Sequence, residues 1–176
     1  LPICQAAFFE QRRQDLRSRH EKYSHTVFLQ EPNVKESCGG MRDYHGIEWI
    51  ARVKTGSSKL EDLVEKKILT SSAYKEIQEA YDFIRRVRNE LHYHTGKATD
   101  QLTLQLQGVV ATAFAYPQRN ILRSTEAFMR DYYRHTRHLY QHSTSLMEYF
   151  QIEQDTRAES GIRSFLTFRK KKREEF

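Results

Sequence analysis

Glycine and proline are scarce: seven and three in 176 residues, about half their usual share. That scarcity disfavours a turn-rich sandwich or barrel, and it excludes collagen-like or Gly/Pro-rich disordered chains. Only two cysteines occur, Cys4 and Cys38, too few for a disulfide framework or a C-x-x-C metal pair. No apolar run approaches the roughly 18 residues of a membrane helix. The opening Leu1 to Phe9 is too short for a signal-peptide core and runs into Arg12 and Arg13. The expected compartment is therefore cytoplasmic. The first residue is not Met, so a piece of a longer protein is expected. What is present is charge and aromatic side chains. Twenty-nine basic against 23 acidic residues give +6, a weak electrostatic signal for nucleic acid. Ten Phe, ten Tyr and one Trp are too many for a disordered tail.

Helical periodicity dominates the chain. A first, highly charged helix is expected from about Cys4 to His20, and a short extended piece at Thr26–Gln30. Pro32 biases Glu31 away from helix, and residues 31–40 read as a loop ending in Gly39-Gly40. A second helix is expected from Met41 to Lys54, stopped by Gly56. A short one follows, Leu60 to Lys67, with Ser58 and then Thr70 as caps. Tyr74, Ile77, Tyr81, Ile84, Val87 and Leu91 recur every three or four residues, one face of a long helix from Ser72 to His94. Gly96 closes it. Further helices are expected at Leu102–Phe114, stopping before Pro117, and from Ser124, as N-cap, to Phe150. Beyond 150 the chain is polar and ends in the basic run Arg169 to Arg173. The reading is an all-α bundle of five to seven helices over 1–150, with a polar, loosely attached basic tail or linker over 151–176.

Several residue sets could carry chemistry. The basic run at 169–173 could bind phosphate, although such runs are usually solvated. Asp131, His135, His138 and His142 lie on one side of a helix, a zinc-like selection, but two of the histidines interrupt an apolar stripe. Arg86 with His92 and Arg88 with His94 fit an Arg-x5-His spacing that resembles the site of HEPN-type ribonucleases. In that reading Arg steadies phosphate charge and His moves protons. No phosphate loop, zinc-protease helix or serine nucleophile motif occurs, nor any Asp-x-Asp or His-Asp pair. No catalytic residue and no metal ligand is therefore assigned within this chain.

A longer series of words is more specific. It begins Arg19-His20-Glu21-Lys22-Tyr23, then Leu29-Gln30-Glu31-Pro32-Asn33-Val34-Lys35-Glu36-Ser37-Cys38-Gly39-Gly40-Met41-Arg42-Asp43-Tyr44-His45, then Trp49-Ile50-Ala51. Leu69-Thr70, Arg86 to His92, Asp100-Gln101-Leu102, Gln107, Val110-Ala111, Tyr116 and Phe128 to Arg134 follow in order. From about Phe9 to Phe150 this resembles the helical region of the bacterial PII-protein uridylyltransferase/uridylyl-removing enzymes. Glutamine-synthetase adenylyltransferase has a similar region. Gln101 stands where that family usually has Arg, and Met41 where Leu is commoner.

The resemblance implies a module that follows a nucleotidyltransferase domain. The metal-binding aspartates would lie upstream, and phosphohydrolase and ligand-sensing domains downstream. It also implies transfer of UMP from UTP to a PII signalling protein in nitrogen regulation. UTP and magnesium are expected of the complete enzyme and no cofactor of this chain, which alone is expected to be inactive. The candidates for nucleotide or interface binding are Lys35, Gly39, Gly40, Arg42, Asp43, Arg88, His92, Asp131 and Arg134. Lys35 and Arg42 are cations, Gly39-Gly40 permits close approach, and the following helix N-terminus favours an anion. Alternatively the Gly pair makes a tight helix entry, with Arg42 and Asp43 pairing with Arg88 or Asp131. A free-standing helical ribonuclease and a non-catalytic interaction module are the other two readings.

Overall fold

The computed structural model describes the backbone of residues 2–116 and 120–174, and side chains within 7–116 and 120–156. Six helices follow one another: α1 (Pro2–Lys22), α2 (Met41–Thr55), α3 (Glu61–Glu65), α4 (Ser71–Thr95), α5 (Leu104–Ala113) and α6 (Ile121–Glu174). The fold is all-α. Thr26–Gln30 forms no strand, and the one β-type pairing among the described residues is a bridge between Asn33 and Gln101.

The helix α4 is set by its sequence at both ends and along its length. The Thr70 side chain accepts from the Ala73 N–H, and Gly96 closes the last turn in the left-handed region at φ 65°. Ile77, Ala80, Ile84, Val87 and Leu91 form a fully buried stripe. It packs along α6, whose own stripe is Phe128, Tyr132, Thr136, Leu139, Ser143, Leu146 and Phe150. Helix α2 lies against both and inserts Ile47, Ile50 and Ala51. Tyr44 of α2 stacks on Tyr81 of α4, ring centroids 3.6 Å apart.

Three boundaries differ from the sequence expectation. Ser58 does not cap α3, which has Leu60 at its N-cap and no side-chain cap bond. Ser124 lies inside α6, its N–H donating back to the Asn120 carbonyl at 3.1 Å. The cap contact is made by Asn120, whose Oδ1 accepts from the Leu122 N–H at 2.9 Å. Helix α6 also continues past Phe150. Lys54 joins α1, α2 and α6 there. Its ammonium pairs with Glu153 at 2.7 Å and lies over the Phe150 and Phe9 rings at 4.4 and 5.4 Å. The side chains of the basic run 169–173 and the position of Pro117 lie outside the described residues.

Candidate functional site

The loop from Glu31 to Gly40 is folded by its own polar residues. The Asn33 Oδ1 accepts from the N–H groups of Lys35 and Glu36 at 3.1 and 2.8 Å. The Ser37 hydroxyl accepts from the Asn33 N–H at 2.8 Å. The segment is also laced to the α4–α5 link. Val34 N–H donates to the Asp100 carbonyl, and Leu102 N–H to that of Pro32. The Gln101 amide donates to the Glu31 carbonyl at 2.5 Å. Glu31 accepts from the Leu104 N–H at 2.8 Å, at the start of α5. Gln107 donates to the Gln30 carbonyl at 2.7 Å.

Gly39 and Gly40 are where backbones meet. Gly39 has φ +72°, and a Cβ there would overlap the Thr136 carbonyl of α6. A Cβ on Gly40 would sit 2.8 Å from the Lys35 carbonyl. The close approach is thus between protein backbones. The amides entering α2 are committed as well. Gly40, Met41, Arg42 and Asp43 donate to the carbonyls of Ser37, Val34, Lys35 and Gly40. The Gly39 N–H donates to Asp43 Oδ2 at 2.6 Å. The helix N-terminus offers an incoming anion none of these donors.

Asp43 is fully buried and faces α1. Its Oδ1 lies 2.5 Å from an Arg19 guanidinium nitrogen. His20 Nε2 lies 3.0 and 3.1 Å from the two carboxylate oxygens, a geometry that fits an N–H donated to Asp43. Asp43 therefore does not pair with Arg88, which meets Asp100 instead, and Arg42 meets Glu36 rather than Asp131, contrary to the alternative read from the sequence. The Arg42 side chain points outward, half exposed, with its Nε 3.3 Å from Glu36. Cys38 is buried beside this cluster, and burial together with the Asp43 charge pushes its thiol up to about 11. It is an unreactive thiol at neutral pH.

Outside the clasp, cations gather on one surface. Arg88 Nε donates to Asp100 at 2.6 Å, and His92 Nε2 stands 3.4 Å from the same oxygen. Burial pushes the Asp100 carboxyl up, but Arg88, His92 and Lys35 outweigh it and leave it below its ordinary value. His45 is held below the usual imidazole range by burial and by Arg42, Lys35 and Arg88. Arg42 and His45 also border a cleft of about 320 Å³ between α1 and α2, whose wall includes Arg12, Arg19 and the half-exposed Trp49. The sequence thus identified Lys35, Arg42, Arg88 and His92 as candidates, and these share one neighbourhood. It missed His45 and Asp100, and it missed Arg19 and His20 as partners of Asp43.

Asp131 and Arg134 stand elsewhere. Asp131 accepts from the Tyr116 hydroxyl at 2.7 Å and pairs with Arg134 at 3.3 Å. His135 stacks on Phe83, centroids 4.4 Å apart, while His142 meets Glu76 at 2.9 Å. Among the described residues no group of three or more His, Cys, Asp or Glu could hold a metal. Of the two Arg-x5-His pairs, Arg86 and His92 do not converge. Arg86 lies over the Phe114 ring at 4.6 Å, while His92 turns to Asp100.

The family model described as GlnD PII-uridylyltransferase matches residues 7–147. The chain is 41% identical over 129 residues to a bifunctional uridylyltransferase/uridylyl-removing enzyme of Methylococcus capsulatus, covering 73% of this chain and 15% of that protein. A protein of the same description from Hydrogenovibrio crunogenus is 32% identical over 150 residues, 83% of this chain and 17% of that one. The Ectopseudomonas mendocina counterpart is 38% identical over 127 residues, 72% and 14% respectively. No solved structure matches. The chain spans about one-sixth of the length of these relatives. On the extent of the family match and these identities, the chain belongs to the GlnD PII-uridylyltransferase family.

Proposed function

We propose that this chain is the helical module of a PII-type protein uridylyltransferase acting in cytoplasmic nitrogen regulation. In this reading the catalytic aspartates and magnesium belong to an adjoining nucleotidyltransferase domain. The face carrying Lys35, Arg42 and Arg88 is turned to the nucleotide. Such a transfer builds charge on the departing pyrophosphate, and positioned cations lower its cost.

The observation that carries the reading is the convergence of those three cations, from the loop, α2 and α4, on the surroundings of His45. Because the α2 amides are already bonded, recognition of the anion falls to side chains. Arg42 is the most available of them, half exposed and held by one moderate contact to Glu36. The buried partners of Asp43 keep the loop in register beneath it.

The test is Arg42→Ala in the complete enzyme, assayed by label transfer from UTP to a PII protein. Loss of one phosphate contact in the transition state is expected to cost about 2–4 kcal/mol, a fall in turnover of roughly 30- to 1000-fold. Unchanged turnover would remove Arg42 from the nucleotide site.

A further inference from the structure

A second cationic surface lies on α6, away from the loop. Arg130, Arg134 and Arg137 follow one another at four- and three-residue steps and line a shallow concavity of about 680 Å³ with Phe28, Met129 and Tyr133. Arg130 and Arg137 are exposed, and among the described residues neither takes part in a hydrogen bond or ion pair. Arg123, also exposed, continues the same line one heptad earlier. Phe28 is 64% exposed, an unusual position for a phenyl ring. It is nonetheless fixed, packed at 5.4 Å against Tyr133, whose hydroxyl donates to the Leu29 carbonyl at 2.9 Å. One carboxylate, Glu126, borders the surface, and Asp131 is occupied by Tyr116 and Arg134.

We propose that this face of α6 docks an acidic protein segment, one that presents carboxylates along a helix or extended strand with an apolar side chain for the exposed Phe28 ring beside Tyr133. The partner's charge follows from complementarity. Seven residues of helix place Arg130 and Arg137 about 10 Å apart. That spacing is too wide to close on one phosphate group and suits a partner that repeats its charge along a line. A protein fits better than a nucleic acid for two reasons. The composition of Arg with Tyr133 and the exposed Phe28 is that of a protein interface core. The aromatic surface is also a single tilted pair rather than a series of open faces on which bases stack.

The test titrates the 176-residue chain against a fluorescein-labelled, helix-forming peptide with Glu at a seven-residue spacing and one Leu between. Its Gln-substituted counterpart and a single-stranded oligothymidine serve as comparisons. Saturable binding of the Glu peptide is expected. It should weaken about tenfold or more with the Gln peptide and with the exposed-site double variant Arg130→Glu/Arg137→Glu, and it should weaken with added salt. The melting temperature of the double variant, expected to be unchanged, excludes an indirect effect. Absence of saturable binding, or equal binding by the double variant, would overturn the proposal. Tighter binding of the oligothymidine, lost in the same variant, would overturn it in favour of nucleic acid.

Discussion

Arg42 and Asp43 are adjacent in the chain and face opposite environments. Asp43 has no exposed surface and holds Arg19, His20 and the Gly39 amide. Arg42 is half exposed and, among the described residues, reaches Glu36. The same division runs through the whole segment from Glu31 to Asp43. Asn33, Ser37, Gly39, Gly40 and Asp43 point inward and fix backbone, whereas Lys35, Glu36 and Arg42 point outward. A distinctive sequence string is therefore two interleaved sets, one that builds the loop and one that the loop displays. The difference teaches that a glycine pair before a helix is not enough to infer an anion site. Here the glycines admit the α6 backbone, and the helix amides are consumed by the loop's own carbonyls.

The largest effect should come from the inward set. Asp43→Ala leaves a largely buried guanidinium and an amide without their partner. A loss of about 3–5 kcal/mol is expected, or roughly 6–20 °C in melting temperature for a chain of this size. A melting temperature within a degree or two of the parent would show that the clasp is not held through Asp43.

Gly39→Ala should come next, at about 2–3 kcal/mol, because the added methyl meets the Thr136 carbonyl and the positive φ disfavours any side chain. Thermal melts of this variant beside Gly46→Ala make the contrast, since a Cβ at Gly46 meets nothing within 4 Å.

A smaller, pH-dependent effect belongs to His135. Among the described residues its Nδ1 is buried without a partner, and burial, with Arg134 beside it, brings the imidazole down to about 4. The folded state then binds fewer protons than the unfolded chain between about pH 4 and the usual histidine value. Its contribution is present above that ordinary value and is lost as pH falls through the window. His135→Phe, stacked on Phe83 in the same way, should reduce the drop in melting temperature between pH 7 and pH 5. An identical drop in both proteins would assign the acid sensitivity to other groups.

The legibility of the chain follows the same inward and outward division. The α4 stripe was readable because apolar residues recur at helical spacing and its caps are a Thr and a Gly. The end of α6 was not readable. From Glu153 to Gly161 the sequence offers no large apolar residue, and the Lys54–Glu153 pair that meets the helix there joins residues 99 positions apart. The start of α6 was misread because Ser124 has the chemistry of a cap but lies one turn inside, where its N–H finds Asn120. The candidate residues Lys35, Arg42, Arg88 and His92 were readable as residues. The partner of Asp43 was not, because nothing local marks which of the many charges on α1 faces inward. Burial of Arg19 and His20 is a property of the packed α1–α2 pair.

The smallest effect on stability, and the most direct test, is at Arg42. The complete enzyme carrying Arg42→Ala should melt within about 0.5 kcal/mol of the parent, as exposed substitutions do. Its equilibrium affinity for UTP should fall clearly at a temperature where both proteins are folded. A lowered melting temperature with UTP affinity unchanged would contradict the account and make Arg42 part of the scaffold with Asp43.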